Sequence, residues 1–433
     1  MRVGSFVPEQ SCRVLYAMAG DDCSLHHDLE CLTPKQQGDH RENQILTCAL
    51  QVALIGLGKA GDRVALAEEF QEQVWDQLLK HYRGMFSAMG LETMQTEGLE
   101  FHDLDTFYES LATHPTDVDL INLYMVSGSN AVLHESQKAL SISRNVNSKV
   151  HFAEHAPAAG IPVPRTFVVS KGAVDSGEVD GIFAAHPEGL MVKLLGLAGA
   201  RNVFRVASLA DCKQQIAEYP EDSPVLFQEI LDIARWREMT VDLTIKPAAV
   251  EISNVRQILF AGGKWVGNFI SPELPLTAAH RAVLERVGAY AREQGYVAEE
   301  GVNCGIDYFI DGDDVIVTEI NARWTGGLFP AEFLRRLAIR QTAVAFFDVI
   351  SCDAVEALQA FQRQHLYTPG VERAFAYVPM GFTPFRLPVE GVDCFFAWQV
   401  VVGDFSRFVT ACEEALPAGC FATARAIRDE ALS

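Results

Sequence analysis

Hydrophobic positions in the first part of the chain alternate between helical spacing and short apolar runs. At residues 71–89 the apolar side chains recur at helical spacing, which predicts an amphipathic helix. The apolar run at 119–126 predicts a buried strand, and residues 131–140 predict another helix. This alternation indicates a small parallel α/β unit. Polar clusters interrupt the first forty residues, where we expect loops and one short strand at 12–17.

Strands dominate the middle of the chain. The segment Gly160-Ile-Pro-Val-Pro164 marks a boundary, because two prolines in three residues force extended backbone and exclude a helix. Helical spacing predicts helices at 278–293, 333–350 and 410–416. Apolar runs predict strands at residues 165–169, 190–194, 225–230, 239–245, 258–260, 304–310, 315–320 and 394–402.

Length and composition indicate a multidomain globular protein. The chain has 433 residues, 49% hydrophobic and 21% charged, which suits roughly two to four units with large cores. Its net charge of −22 argues against nucleic acid and anionic membrane as partners. Because no signal-peptide run or membrane-length apolar stretch is found, we expect a cytoplasmic protein. Ten cysteines without a Cys-x-x-Cys pair indicate reduced thiols.

Two local motifs have competing interpretations. Cys23, His26, His27 and Cys31 lie close together, and a metal site there is the weaker interpretation beside a polar loop with free thiols. Residues 56–61 match the glycine pattern of dinucleotide-binding proteins. The β-like sequence that follows leaves no room for a helix to open inside the glycines, which favours a turn into a strand. A dehydrogenase therefore stays open only as a distant alternative.

A lysine and a glycine loop together predict a phosphate site. Lys193 ends an apolar strand, and Gly196 and Gly199 follow it in a loop. A polyphosphate needs cations and backbone donors around it, and this pattern supplies both. Because the protein is acidic overall, a lysine at this position favours an anionic ligand such as phosphate. Taken alone, the same residues also fit a surface lysine and an ordinary hairpin turn.

A second group of residues predicts a magnesium site. Asp307, Glu319 and Asn321 offer hard oxygen ligands. Residues 319 and 321 share one face of a strand because side chains alternate along it. If the chain turns as a hairpin at residues 311–314, the carboxylate of Asp307 lies opposite the other two. Asn is disfavoured in strand interiors, which argues against a plain solvent-facing pattern.

In their order and spacing these features resemble the ATP-grasp superfamily, over residues 149–330. The resemblance implies that ATP and Mg²⁺, with Mn²⁺ as a substitute, are the cofactors. For the nucleotide, it implies that Lys149 and Lys193 bind phosphate under a loop containing Gly196 and Gly199, that Gln228, Glu229 and Ile230 contact adenine, and that Glu238 contacts the ribose. For the metal, it implies Asp307, Glu319 and Asn321 as ligands. It also implies catalytic roles for Lys193 and Arg323.

The same resemblance implies an α/β (α+β) chain with the ATP-grasp fold. An N-terminal pre-ATP-grasp domain with a parallel sheet is expected at residues 1–145. A small lid domain with its lead-in helix should follow at 146–235, and a larger catalytic domain with an antiparallel sheet at 236–345. Residues 346–433 are expected to form a C-terminal extension packed on the catalytic domain.

The implied reaction is that of a carboxylate–amine ligase. In this superfamily a carboxylate attacks the γ-phosphate of ATP, and an amine then displaces phosphate from the acylphosphate. Small-molecule carboxylate and amine substrates are implied, and the N-terminal region favours amino acids or short peptides. Arg323 would hold the carboxylate through two parallel hydrogen bonds. Residues 251–269, which include Arg256, Lys264, Trp265 and Asn268, are predicted to form a flap beside this pocket.

Several alternatives remain open after the sequence analysis. The acceptor can be a thiol, and the product can be a phosphorylated or carboxylated compound. A module that binds nucleotide without turnover is a further alternative, although the complete metal set argues against it. The oligomeric state, including a homodimer, is also open.

Overall fold

The computed structural model describes residues 2–3, 12–71, 73–113, 117–134, 136–196, 202–386 and 393–432. Within this part of the chain there are three β-sheets, and each is formed by a separate stretch of the sequence.

The first sheet has five parallel strands in the order β1-β5-β2-β3-β4. Its central strands are almost entirely buried, as is usual for parallel sheets covered by helices. The strands are Arg2–Val3 (β1), Val14–Ala17 (β2), Arg63–Ala67 (β3), Leu99–His102 (β4) and Leu120–Leu123 (β5). The helices are Asp21–His26 (α1), Pro34–Leu50 (α2), Leu54–Leu57 (α3), Gln73–Ala88 (α4), Phe107–Thr113 (α5), Ala131–His134 (α6) and Gln137–Asn147 (α7). The predicted parallel α/β unit is confirmed.

Two predictions for this region have different outcomes. Loops were expected before residue 40, but α1 and the first part of α2 lie there, so that prediction is wrong. The first five residues of α1 are buried although two of them are aspartates. Helix α2 begins in a polar stretch, so neither helix shows apolar spacing. By contrast, the predicted turn is present at residues 58–61, after α3 ends at Leu57, and it leads into β3.

The second sheet is small and antiparallel, with the order β6-β9-β7-β8. Two helices cover one of its faces, and they share a separate hydrophobic core with it. The elements of this lid are Thr166–Ser170 (β6), Gly177–Ala185 (α9), Leu190–Lys193 (β7), Val203–Val206 (β8), Leu209–Ile216 (α10) and Pro224–Glu229 (β9). Helix Lys149–His155 (α8) and an extended segment at 161–165 lead into it, as the two prolines predict.

The third sheet has eight strands in the order β14-β13-β10-β11-β12-β15-β17-β16, and all its neighbours are antiparallel. Its strands are Arg237–Ile245 (β10), Val250–Ala261 (β11), Lys264–Ile270 (β12), Val302–Asp311 (β13), Asp314–Asn321 (β14), Ala343–Ser351 (β15), Phe375–Arg386 (β16) and Asp393–Gly403 (β17). The helices of this part are Ala278–Glu293 (α11), Leu328–Arg336 (α12), Val355–His365 (α13), Phe405–Ala415 (α14) and Ala422–Ala426 (α15), and a π-helical turn at Ile427–Ala431 follows α15.

The prediction of one helix over residues 333–350 is wrong. Helix α12 ends at Arg336, and Ala338 adopts a left-handed backbone with φ 53°. The chain then enters β15, whose β-branched and aromatic residues suit a pleated strand. The predicted flap at 251–269 is also wrong, because β11 and β12 are internal strands of the large sheet and β15 pairs with β12 on its far side.

The C-terminal strands connect the large sheet to the N-terminal domain. Residue 346, at the start of the predicted C-terminal extension, lies inside β15, and β15, β17 and β16 continue the large sheet. The aromatic rings of Phe86 in α4 and Phe333 in α12 pack at 5.7 Å between centroids. His81 of α4 also hydrogen-bonds Gln362 of α13 at 3.0 Å. One hydrophobic core therefore spans the parallel sheet and the C-terminal strands.

Candidate active site

One face of the large sheet carries a row of polar side chains. In β10 this row contains Glu238, Thr240 and Asp242, because alternate residues of a strand share a face. Strand pairing places Thr240 opposite Asp307 of β13, and Asp307 opposite Glu319 of β14. The other face packs against α11 in a hydrophobic core. The predicted hairpin between β13 and β14 is present, with Asp311 paired to Asp314.

The three residues predicted to bind metal lie together at the end of this hairpin. Asn321 donates a hydrogen bond from Nδ2 to Oδ2 of Asp307 at 3.0 Å. Burial raises the pKa of Asp307 to about 6, and the neighbouring charge of Glu319 contributes. Two half-buried carboxylates and a neighbouring amide form a set of hard oxygen donors that a divalent cation would stabilise. The residues present therefore fit a magnesium ion.

Two lysines from different elements reach these carboxylates. Lys149, the first residue of α8, lies with Nζ 2.5 Å from Oε1 of Glu319. Lys193, at the end of β7, is only 8% exposed. Burial alone would raise the pKa of Glu319, but the ammonium groups of Lys149 and Lys193 outweigh it and hold that pKa below its usual range. The helix and the lid strand thus place two cations beside the predicted metal ligands.

Glu238 lies near the same charges. Burial raises its pKa to about 7, and the carboxylate of Asp307 adds to this effect while Lys193 opposes it. Burial likewise lowers the pKa of Lys193, partly offset by the negative charge of Glu319. Five predicted site residues therefore form one electrostatic group that extends from the lid to the large sheet: Lys149, Lys193, Glu238, Asp307 and Glu319.

The loop after Lys193 lies against the N-terminal domain. Gly196 has φ 105°, and a Cβ there would lie 2.6 Å from Nε2 of His27. His27 also approaches the carbonyl oxygen of Leu195 at 3.3 Å. Asn202 closes the base of the loop through its own hydrogen bond to Leu195. A glycine is required at position 196 for both reasons, and the predicted Gly199 lies outside the described residues.

The predicted adenine residues are at the end of β9. The Gln228 side chain is buried and donates to Oγ1 of Thr166 at 3.0 Å. Oε1 of Glu229 accepts a hydrogen bond from the backbone N–H of Arg165 at 2.9 Å. Ile230 follows directly after the strand. Both polar side chains are engaged within the lid, so adenine contacts by these residues stay a prediction.

Arg323 lies just past the metal residues, and two of its three guanidinium nitrogens have partners. Nε donates to Oδ1 of Asp22 at 2.9 Å, and Nη1 donates to Oδ1 of Asn321. The guanidinium also stacks over the ring of Tyr124 at 5.7 Å. Burial would lower the pKa of Arg323, but the acidic groups around it, including Tyr124, Asp22 and Glu319, hold that pKa above its usual value.

A narrow cleft between the N-terminal domain, the lid and the large sheet joins these groups. The sequence analysis missed Asp22 and named His26 only within a weak metal motif, whereas α1 places both side chains at the cleft, one helical turn apart. Burial and the ammonium group of Lys149 lower the pKa of His26 to about 3, so its imidazole is neutral at pH 7. The cleft is lined by Asp22, Leu25, His26, Met125, Asn147, Lys149, Leu195, Gly196, Glu319, Asn321 and Arg323.

Arg256 has a structural position beside this cleft. Its guanidinium forms two hydrogen bonds with Asp242, at 2.6 and 3.1 Å, and is fully buried. Thr325 donates to the same carboxylate at 3.0 Å, and Gly327 packs so closely on the guanidinium that a Cβ would collide with it. The pair therefore supports the turn that follows Arg323.

Comparison with solved structures identifies the architecture. An Aspergillus clavatus N5-carboxyaminoimidazole synthase with bound ADP and 5-aminoimidazole ribonucleotide is 13% identical, and 90% of this chain aligns with 94% of that chain at a TM-score of 0.54. The Thermotoga maritima phosphoribosylamine–glycine ligase is 13% identical, with coverages of 94% and 98% and a TM-score of 0.53. The chain has the ATP-grasp fold. Neither protein-family models nor curated proteins give a match to the sequence.

A third ATP-grasp structure was determined with nucleotide and metal. The biotin carboxylase domain of Hydrogenobacter thermophilus 2-oxoglutarate carboxylase, with MgADP, ADP and bicarbonate, is 12% identical. The alignment covers 95% of this chain and 92% of that domain, with a TM-score of 0.53. The predicted ATP-grasp fold is thus confirmed.

The cysteine and histidine motif at residues 23–31 does not form a metal site in the described structure. Cys23 is buried and Cys31 exposed, and the part of the chain described contains no group of three or more Cys, His, Asp or Glu arranged to hold a metal. None of the described helices has both the length and the apolar character needed to cross a bilayer.

Proposed function

We propose that the protein is an ADP-forming ligase that activates a carboxylate as an acylphosphate and joins it to an amine. Amino acids or short peptides are the proposed substrates. The observation that carries this proposal is that Lys149, Glu319 and Arg323 line one cleft of an ATP-grasp fold. Asp307 pairs with Glu319 across the hairpin, and the charge of Lys193 acts on the same carboxylate. A phosphate chain, a divalent cation and a substrate carboxylate are the ligands that such a set of charges suits.

The proposed roles follow from where each side chain lies. Lys149 and Lys193 neutralise the triphosphate from the helix and lid sides, and Glu238 faces the ribose. Asp307, Glu319 and Asn321 would hold magnesium, which would neutralise the phosphate oxygens when bound. Arg323 contacts the carboxylate through Nη2, its one guanidinium nitrogen with no hydrogen-bond partner among the described residues.

The proposed chemistry needs no covalent enzyme intermediate. A carboxylate oxygen of the acid attacks the γ-phosphorus, and the bond from that phosphorus to ADP breaks. The amine nitrogen then attacks the acyl carbon, and inorganic phosphate leaves with the electron pair of the broken C–O bond. The amine loses its proton to solvent. The chain therefore contributes mainly orientation and charge neutralisation.

Product analysis tests the proposal. The protein is incubated with ATP, magnesium and pooled amino acids, dipeptides or bicarbonate, and the nucleotide products are separated. Acid-dependent ADP and phosphate support the ligase, and a requirement for an amine identifies the acceptor. Bicarbonate is included because a neighbour of the same fold was solved with it, and carboxylation is the alternative product.

Controls separate this activity from contaminating ATPases. Asp307→Asn, which removes one predicted metal ligand, should abolish the signal, whereas the exposed Asp76→Asn should leave it unchanged. AMP and pyrophosphate would indicate adenylation instead. Nucleotide binding without turnover for any acid would favour a binding module. A cytoplasmic location and a homodimer remain predictions.

A further inference from the structure

The N-terminal domain contributes a carboxylate to the acid end of the cleft. Asp22 and Arg323 are 301 positions apart in sequence, and Oδ1 of Asp22 accepts a hydrogen bond from Nε of Arg323 at 2.9 Å. Both side chains are at least nine-tenths buried. An arginine buried without a partner would be strongly destabilising, so Asp22 allows Arg323 to sit beside the metal carboxylates.

The position of Asp22 is fixed by its own domain. Asp21, the preceding residue, is fully buried and accepts hydrogen bonds from Tyr108 at 2.6 Å, Ser127 at 2.7 Å and Asn130 at 3.0 Å. These donors come from α5 and from the segment after β5. Helix α1 is therefore anchored at its first residue, and the next side chain is delivered to the cleft on a rigid element.

The contacts of Arg323 leave one nitrogen for a ligand. Asp22 holds Nε, and Asn321, a proposed metal residue, holds Nη1. Nη2 has no hydrogen-bond partner among the described residues, although Arg323 is 9% exposed and lines the cleft. A guanidinium fixed at two nitrogens has a defined direction for the third. Because Nη1 and Nε are already engaged, a two-nitrogen grip on the acid would require displacing a protein partner.

We propose that Asp22 is a positioning residue, which fixes the direction of Arg323 so that Nη2 alone meets the carboxylate and its acylphosphate. This inference rests on the proposed ligase activity and assigns the N-terminal domain a part in the acid site. Turnover should depend on where the accepting oxygen of residue 22 lies, and not on its negative charge alone. Two conservative variants separate these properties: Asp22→Asn keeps an oxygen at the same reach, and Asp22→Glu keeps the charge but moves it by one methylene.

The experiment compares kcat and KM for acid and for ATP in both variants, after thermal melts confirm folding. Asp22→Asn should retain kcat within about threefold, whereas Asp22→Glu should lower it about tenfold or more. The KM for ATP should change less than about twofold in either variant, because no nucleotide contact is removed. The exposed Asp76→Glu is the matched control in the same domain and should behave as the wild type.

A double-mutant cycle tests whether Asp22 acts through Arg323. In an Arg323→Lys background, Asp22→Glu should have no further effect, because lysine has no Nε to orient. Additive effects would overturn the inference, as would wild-type kinetics in Asp22→Glu or a greater loss in Asp22→Asn than in Asp22→Glu. If the wild-type protein shows no acid-dependent ADP release, the proposed function has failed and this inference fails with it. Variant effects are interpreted only when wild-type turnover is present.

Discussion

Replacing Lys193 by Met should weaken nucleotide binding without destabilising the fold. Lys193 is 8% exposed, at the end of β7, beside the carboxylates of Glu319 and Glu238. A charge-assisted contact to phosphate contributes about 1.5–3 kcal/mol. Loss of that contact corresponds to an affinity decrease of roughly 10- to 150-fold. Methionine has a similar length and shape, so the strand and the lid core should remain in place.

The sign of the stability change follows from the pKa of Lys193. Burial is the largest influence and lowers this pKa, so the folded protein binds fewer protons here than the unfolded chain. A lysine with a lowered pKa destabilises the folded state at every pH below its unfolded pKa, which includes pH 7. Methionine removes this penalty. We therefore expect the melting temperature of ligand-free Lys193→Met to equal or exceed that of the wild type.

Two measurements on the same preparation check this prediction. Calorimetric titration with MgATP gives the affinity, and a thermal melt without nucleotide gives the stability. Lys213→Met is the matched control, because Lys213 lies in the same lid but is half-exposed and pairs with Asp175. It should alter neither quantity. Unchanged MgATP affinity in Lys193→Met would remove Lys193 from the phosphate site, and a melting temperature lower by several degrees would show that its charge stabilises the fold.

Three further predictions concern the metal site, the sheet and a buried acid. Glu319→Gln should abolish acid-dependent ADP release and lower the ligand-free melting temperature, because Lys149 loses its partner at 2.5 Å; a stable, active variant would contradict this. Gly267→Ala should destabilise the protein in thermal melts, since a Cβ there would collide with the carbonyl of Ala345 between β12 and β15; an unchanged melt would refute it. Burial raises the pKa of Asp348 to about 7 from 3.8, so its ionisation reduces stability as pH rises between those values. The fall in melting temperature from about pH 5 to about pH 8 should be smaller in Asp348→Asn, and an equal fall would contradict the assignment.

Local pattern predicted that Asp307, Glu319 and Asn321, the proposed metal ligands, lie close together, because strand geometry fixes much of their relation. Residues 319 and 321 alternate onto one face, and the two-residue turn after Asp311 sets a register that pairs Tyr308 with Val317. A bulge between Asp307 and Tyr308 then shifts the register by one residue and brings Asp307 opposite Glu319. The hairpin could be predicted from neighbouring residues, whereas the bulge could not. The fold class followed in the same way, from the alternation of elements in the N-terminal part and the succession of strands after Pro164.

Other elements were missed although a local signal was present. Thr33 and Gln36 form reciprocal hydrogen bonds at the start of α2, with Pro34 as the first helical residue. Thr33 and Gln36 thus have the spacing of a capping box, and proline is well suited to the first position of a helix. Apolar spacing alone did not reveal it because the first turns of α2 are polar. In β15, the branched and aromatic residues favour a strand, although some of its apolar positions also fit helical spacing.

The missed site residues have no comparable signal. Asp22 belongs to a short helix whose aspartates are buried by contacts with distant segments, and its partner Arg323 is 301 positions away. Composition and periodicity do not encode such a contact. The same holds for Arg256, whose burial depends on the pairing of β10 with β11 and on the turn at Thr325. Long-range ion pairs of this kind are visible only once the fold is known.

The distribution of charge explains why the candidate site lies where three units meet. The large sheet supplies the carboxylates Asp307 and Glu319, but the lysine that pairs with Glu319 comes from α8, which leads into the lid. The arginine of the same sheet is neutralised by Asp22 of the N-terminal domain. Each unit therefore presents a charge that would be unpaired without the others, and leaving a buried charge unpaired is strongly destabilising. The arrangement ties formation of the cleft to docking of the three units, so a fragment without the N-terminal domain should leave Arg323 without the acceptor that orients it.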